Sequence, residues 1–149
     1  MTSSSTARVL VVANRTAATP TLIRRVRRRA QQGDCRFTLL VPRPTWDPET
    51  GEAEETLALA LPLLIDAVGA DVQGRVGESD PYEAVERLLE REQFDEIILS
   101  TLPERVSRWL RRDLPRRFEE FGLPVDVVTA PHALRPVGDR KGVADIGRT

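Results

Sequence analysis

Five short apolar runs recur along the chain, and each is separated from the next by a segment of helical character. This alternation restricts the fold more than any other feature of the sequence. Arg8-Val-Leu-Val-Val-Ala13 is rich in β-branched residues and ends in Asn14-Arg15-Thr16. Phe37-Thr-Leu-Leu-Val41 closes on Pro42 and Pro44, and Asp71–Val76 alternates weakly, as an edge strand does. Glu96–Leu99 opens the nearly continuous apolar stretch Glu96-Ile-Ile-Leu-Ser-Thr-Leu102, and Pro124-Val-Asp-Val-Val128 follows Gly122. Runs this short and this apolar read as strands covered on both faces. The order βαβαβαβαβ carries no tandem hairpin signal, which predicts the α/β class: a three-layer αβα arrangement around an open parallel sheet of five strands.

The intervening segments carry helix punctuation. Thr19 and Pro20 supply an N-cap and an N1 proline, Leu22, Ile23, Val26 and Ala30 mark one face, and Gly33 lies past the stop. Glu52 to Gly69 has acids in its first turn and a terminal glycine, with Pro62 predicting a kink or a division. Asp80-Pro81-Tyr82-Glu83 is a second well-formed helix start, followed by the apolar face Ala84, Val85, Leu88 and Leu89. A fourth helix is expected from Glu104 to Gly122, burying Val106, Trp109, Leu110, Phe118 and Phe121. Arg43 to Gly51, with Pro44 and Pro48, reads as an exposed loop.

A length of 149 residues suits one domain with a real core. The expected organisation is a disordered N-terminus at 1–7, an α/β domain at 8–130 and a disordered tail at 131–149, the last rich in Gly, Pro and charge. A formal net charge of −1 gives no global drive toward nucleic acid or anionic membrane, and neither is expected as a partner. The single cysteine, Cys35, rules out an intrachain disulfide, and the single histidine, His132, rules out a multi-histidine metal site, so no metal is expected. The polar start Met1–Ala7 does not read as a signal peptide, and Leu57–Val68, broken by Pro62 and Asp66, is too short to span a bilayer. A cytoplasmic location is the expectation.

Over roughly Arg8 to Thr129 the chain resembles the universal stress protein family. The likeness rests on Val9-Leu-Val-Val-Ala-Asn14, on Gly77-Glu-Ser-Asp-Pro81 before a helix, and on Asp95-Glu-Ile-Ile-Leu99 leading to Leu123-Pro-Val-Asp-Val-Val128. The resemblance implies strand order 3-2-1-4-5, a ligand crevice between the C-terminal ends of strands one and four, and a homodimer whose last strands meet edge to edge. Nucleotide-binding members carry G-x2-G-x9-G-[S/T] after strand four. Without gaps those positions fall on Ser100, Pro103, Asp113 and Leu114; a gap would move the helix positions onto Arg111 or Arg112, less hostile to phosphate, but no glycine occurs between Gly77 and Gly122. Pro103 has no N–H to offer a phosphate, Asp113 adds negative charge and Leu114 lacks a hydroxyl. Asn14 stands where the family commonly has an acid. ATP held in the family's usual manner is therefore not expected, and no cofactor is assigned.

The predicted topology gathers Asn14, Thr16, Arg43, Gly77, Asp80, Ser100 and Thr101 at the strand C-termini. This neutral, hydrogen-bonding set with an arginine nearby suits a small polar or anionic ligand. Local structure competes for the same residues, since Asn14 and Thr16 suit a turn and Thr101 with Glu104 fits a capping box. Ser100 lacks both a nucleophile elbow and a histidine base in the folded region, so it is not read as catalytic. Cys35 is at the wrong end of its strand for chemistry and reads as a small buried residue. The arginines at 24, 25, 27, 28 and 29 point around most of a helix, and are read as a solvated face paired with acids such as Glu52, Glu54 and Glu55. Helix 54–68 carries a stripe of Leu57, Leu61, Leu64 and Val68, with Leu59, Leu63 and Ala67 lying off it, and the excess argues either for a deeply packed helix or for a partner surface such as a homodimer contact. The leading expectation is a non-catalytic stress-response or regulatory protein acting through dimerisation and protein or small-ligand binding. The alternative is a nucleotide-binding member that uses Asn14, Ser100, Thr101 and a nearby arginine in place of glycines.

Overall fold

The structure, a computed structural model, describes residues 6–43, 51–102, 109 and 113–130. The expected disordered ends, apart from Thr6 and Ala7, lie outside the described residues. So do residues 44–50 of the expected loop and residues 103–108 and 110–112 of the expected fourth helix.

The strands are β1 (Ala7–Val12), β2 (Cys35–Pro42), β3 (Val72–Gly77), β4 (Glu96–Thr101) and β5 (Val125–Thr129). The helices are α1 (Pro20–Gln31), α2 (Glu52–Val68), α3 (Pro81–Leu89) and α4 (Leu114–Phe118), the last tightening into a 3₁₀ turn at Glu119–Phe121. All pairings are parallel and the order is β3-β2-β1-β4-β5, as expected. Alternate residues of each strand face opposite layers. Val9, Val11, Leu39, Val41 and Ile98 pack under α1 and α2, while Leu10, Val12, Leu40, Ile97 and Leu99 pack under α3 and α4. Val9 to Ala13 are completely buried, which explains why that run shows no alternation in sequence.

The predicted caps form. Thr19 Oγ1 accepts from the Leu22 amide at 3.4 Å, and Asp80 accepts from the Tyr82 amide at 3.0 Å. Gly69 closes α2 at φ 80°, its N–H donating to the Ile65 carbonyl at 2.8 Å.

Of the two outcomes expected at Pro62, a kink or a division, the division does not occur: α2 runs uninterrupted over 17 residues. The proline and Ala58, whose carbonyl loses its partner, are both exposed, so water can satisfy the freed acceptor. The fourth helix is not continuous to Gly122. Asp113 takes φ 58°, a left-handed bend that ends any helix before it, and α4 starts afresh at Leu114 with Pro115 in its first turn.

Gly77 marks where α3 comes closest to the sheet. A Cβ there would lie 2.8 Å from Ala84 Cβ, whereas one at Gly74 would meet only the ends of Leu61 and Leu57, at 2.9 and 3.0 Å. Gly77→Ala is expected to cost about 1–3 kcal/mol by overpacking. Gly74→Ala should cost less, because leucine tips rotate away. Chemical denaturation of the two variants checks this, and the reverse order would mean that α3 yields more easily than the leucines.

Candidate functional site

The strand order reverses between β1 and β4, which places a crevice at their C-terminal ends. After Val12 the chain leaves the sheet in turns: Ala17 N–H donates to the Asn14 carbonyl at 3.0 Å, and Thr19 N–H to the Thr16 carbonyl at 3.1 Å. These turns carry the Thr16 side chain inward. Its hydroxyl meets Ser100 Oγ of β4 at 2.6 Å, with Thr16 fully buried and Ser100 exposed by only 1%. Two of the expected site residues are thus brought together, and each occupies the other's hydroxyl. Thr101 lies at the end of β4, its hydroxyl 3.4 Å from that of Thr129 on β5. It is a buried strand residue. Its expected capping partner Glu104 lies outside the described residues. Asn14 is half-buried beside Arg15, Val41, Pro42, Glu52, Ala53 and Thr56, and its side-chain Oδ1 accepts from the Arg15 amide. That recess holds only about 10 Å³, roughly the room for one water.

The other three expected residues lie elsewhere. Arg43, Gly77 and Asp80 line an open groove of about 760 Å³ between the β2–β3 edge and α3. Leu40, Ala84 and Leu88 form its apolar floor, and Arg75, Arg91 and Glu83 stand on its rim. The backbone closes its upper end, where the Arg43 amide donates to the Gly77 carbonyl at 3.1 Å. The groove's charges are largely matched. Arg43 pairs with Glu54 at 2.7 Å, Arg75 with Glu92 at 3.1 Å, and Arg87 lies 3.4 and 3.5 Å from Glu78 and Glu83. Sequence reasoning missed Arg75. Its signal was an arginine inside Asp71–Val76, which marks a strand uncovered on one side.

Asp113 is the one non-glycine residue with positive φ among the described residues, a backbone conformation that favours glycine. The Asp113 carboxylate is exposed and lies 3.6 Å from Arg116, and Leu114 is buried in the core beneath α3. Cys35 is half-buried, donates to the Gly33 carbonyl at 3.2 Å, and has its thiol pKa raised by burial. A thiol held protonated is a poor nucleophile. Among the described residues no three His, Cys, Asp or Glu side chains are grouped to hold a metal ion, and no helix is long and apolar enough to cross a membrane.

The arginines of α1 do not pair with Glu52, Glu54 or Glu55, as had been expected. Arg25 engages Asp126 on β5, and Arg29 makes a two-pronged contact with Glu96 on β4 at 2.8 and 2.9 Å. Glu52 and Glu54 pair instead with Arg15 and Arg43, which lie at the strand ends facing the start of α2.

Removing one hydroxyl of the buried pair strands the other. Thr16→Val and Ser100→Ala are each expected to cost about 1–3 kcal/mol. The double variant should fall short of their sum by about 1 kcal/mol, and strictly additive costs would show that the two hydroxyls do not bond. A second expectation concerns pH. The Glu54 backbone amide first, and then the Arg43 side chain, hold the Glu54 carboxyl below the usual range. The folded state therefore favours its ionised form: this contribution is present above the ordinary glutamate pKa and is lost as pH falls through the depressed folded value. Arg43→Ala should move the Glu54 midpoint upward in an NMR titration, and an unmoved midpoint would exclude Arg43 as a cause.

No protein-family model and no curated protein sequence matches the chain. Solved structures do. A universal stress protein from Archaeoglobus fulgidus superposes with a TM-score of 0.59 at 17% identity, over 82% of this chain and 93% of that one. A protein of the universal stress protein family from Burkholderia pseudomallei gives 0.58 at 17% identity, covering 83% and 96%. A universal stress protein solved in complex with cAMP gives 0.55 at 16% identity, covering 85% and 98%. Strand order, parallel pairing and the distribution of helices over the two faces agree with these likenesses: the chain has the universal stress protein fold.

Proposed function

We propose that this protein is a universal stress protein-like regulatory protein of the cytoplasm, non-catalytic and dimeric, that works through protein or small-ligand contacts and does not hold ATP by a glycine loop. The observation that carries this reading is the pair Asp113–Leu114. The left-handed bend at 113 supports the ungapped alignment with the nucleotide-binding motif, because it puts a glycine-like backbone where that motif has its third glycine. In that register a carboxylate and a buried leucine replace the groups that would meet phosphate. The closed Thr16–Ser100 pair supports it further, since hydroxyls already bonded to each other must separate before they can serve a ligand.

A second reading is favoured by one specific finding, the shared fold with a universal stress protein in complex with cAMP. In that reading Asn14, Ser100, Thr101 and a nearby arginine bind a nucleotide without glycines. Thermal unfolding with ATP, ADP, AMP and cyclic nucleotides, with and without Mg²⁺, separates the two. A ligand at about 100 times its dissociation constant stabilises a protein by about 2.7 kcal/mol, which is visible as a shifted midpoint. The proposed function predicts no shift with any of them. A saturable shift that Asn14→Ala weakens would establish the second reading.

A further inference from the structure

The outer surface of the α1–α2 layer sets unpaired charge beside exposed apolar carbon. Arg24, Arg27 and Arg28 are exposed, and at spacings of three and four residues they share one side of α1. None of them makes an ion pair among the described residues, whereas Arg25 and Arg29 are engaged by the sheet. On α2, Leu59 is 69% and Leu63 45% exposed, and Glu55 and Asp66 are exposed without an ion pair among the described residues.

Helix phase orders these groups across the surface. Leu57 and Leu61 lie against β3, where they are the nearest groups to Gly74. At about 100° per residue, Leu59 and Leu63 then fall on the flank of α2 turned toward α1, which packs alongside it. Glu55 and Asp66 stand on the outer crest of α2. Going from α2 to α1 the surface therefore reads acid, apolar, base.

We propose that this face joins two copies of the chain about a two-fold axis parallel to the helices. The proposal rests on the dimer reading above and assigns its surface. A symmetric interface must complement itself. An axis along the helices lays the arginines of one copy on the acidic crest of the other, twice over, with Leu59 and Leu63 meeting in the middle. An axis across the helices would set arginine against arginine. The edge of β5, which would pair through backbone groups, is the competing surface; Val127 is its one exposed large apolar side chain among the described residues. The strip is about 25 Å long by α2's length and about 20 Å wide. That is smaller than the roughly 800 Å² a side of a standard stable interface, so the dimer should be reversible, with a dissociation constant in the micromolar range.

Sedimentation velocity over a concentration series, with two charge-reversed variants, tests this. The first variant carries Arg24→Glu, Arg27→Glu and Arg28→Glu; the second carries Glu55→Lys and Asp66→Lys. Wild type should dimerise, about tenfold more weakly in high salt, which screens exposed charge. Each variant alone should be monomeric, and an equimolar mixture should dimerise again, a recovery that misfolded variants cannot produce. A wild type that stays monomeric overturns both this proposal and the dimer reading. A wild-type dimer that neither reversal weakens overturns this surface and leaves the dimer reading standing. Failure of the mixture to recover overturns the charge pairing. If wild type is a monomer retained on heparin and the first variant is not, the arginine row serves a polyanion and the proposal falls.

Discussion

β1 and β4 pair in parallel at the centre of the sheet, from Val9 opposite Glu96 to Val12 opposite Leu99, and nearly all of this ladder is buried from both sides. Everything else in the fold follows from covering those two strands. Parallel strands need crossovers, and each crossover leaves a helix on one face. α1 and α2 follow β1 and β2 and cover one layer; α3 and α4 cover the other. The chain reverses its progress across the sheet after β3, so the ends of the two most buried strands open onto the same point. The opening is anchored at the opposite end by Asp95, whose carboxylate accepts from the Arg8 amide and whose own amide donates to the Arg8 carbonyl, each at 2.7 Å.

At the reversal point the polar side chains must be satisfied without water. Thr16 and Ser100 satisfy each other, and Thr101 reaches Thr129. The Thr16 and Ser100 hydroxyls meet each other where β1 and β4 end, and the groove of about 760 Å³ lies off to the side, beside α3. That groove lies beside the point where α3 crowds the sheet at Gly77, over the β2–β3 surface on the α3 side. A residue short in sequence from Asp80 can therefore be far from it in role: Asp80 caps a helix, and Gly77 permits its approach.

Charge on the surface is sorted by the fold as well. Arg25 and Arg29 are four residues apart and face the sheet, where Asp126 and Glu96 meet them. Arg24, Arg27 and Arg28 belong to the opposite side of the same helix and are exposed. Exposed pairs contribute little individually. Their value here is in placement: the pairs to the sheet orient α1, and the row left over faces whatever meets the α1–α2 layer.

Class, element order and helix boundaries were legible in the residues because they rest on local rules. Apolar runs without alternation mark covered strands, and Thr19-Pro20, Asp80-Pro81, Gly69 and Gly122 mark ends by backbone geometry that needs no distant partner. The order 3-2-1-4-5 came with the family likeness, which the residue pattern supports and the tertiary structure bears out. The candidate site was legible only in part. Strand ends predicted which residues would lie at one edge of the sheet. They did not predict that Thr16 would turn inward to Ser100, that Arg43, Gly77 and Asp80 would serve a separate groove, or that Asp113 would break the fourth helix. Those outcomes depend on contacts between residues as much as 84 positions apart. By itself the sequence determined which segments are strands and helices, since periodicity and capping are local. Which hydroxyl meets which, and which arginines of α1 pair with the sheet, only the tertiary structure decided, because side-chain partners are chosen by packing across the sheet.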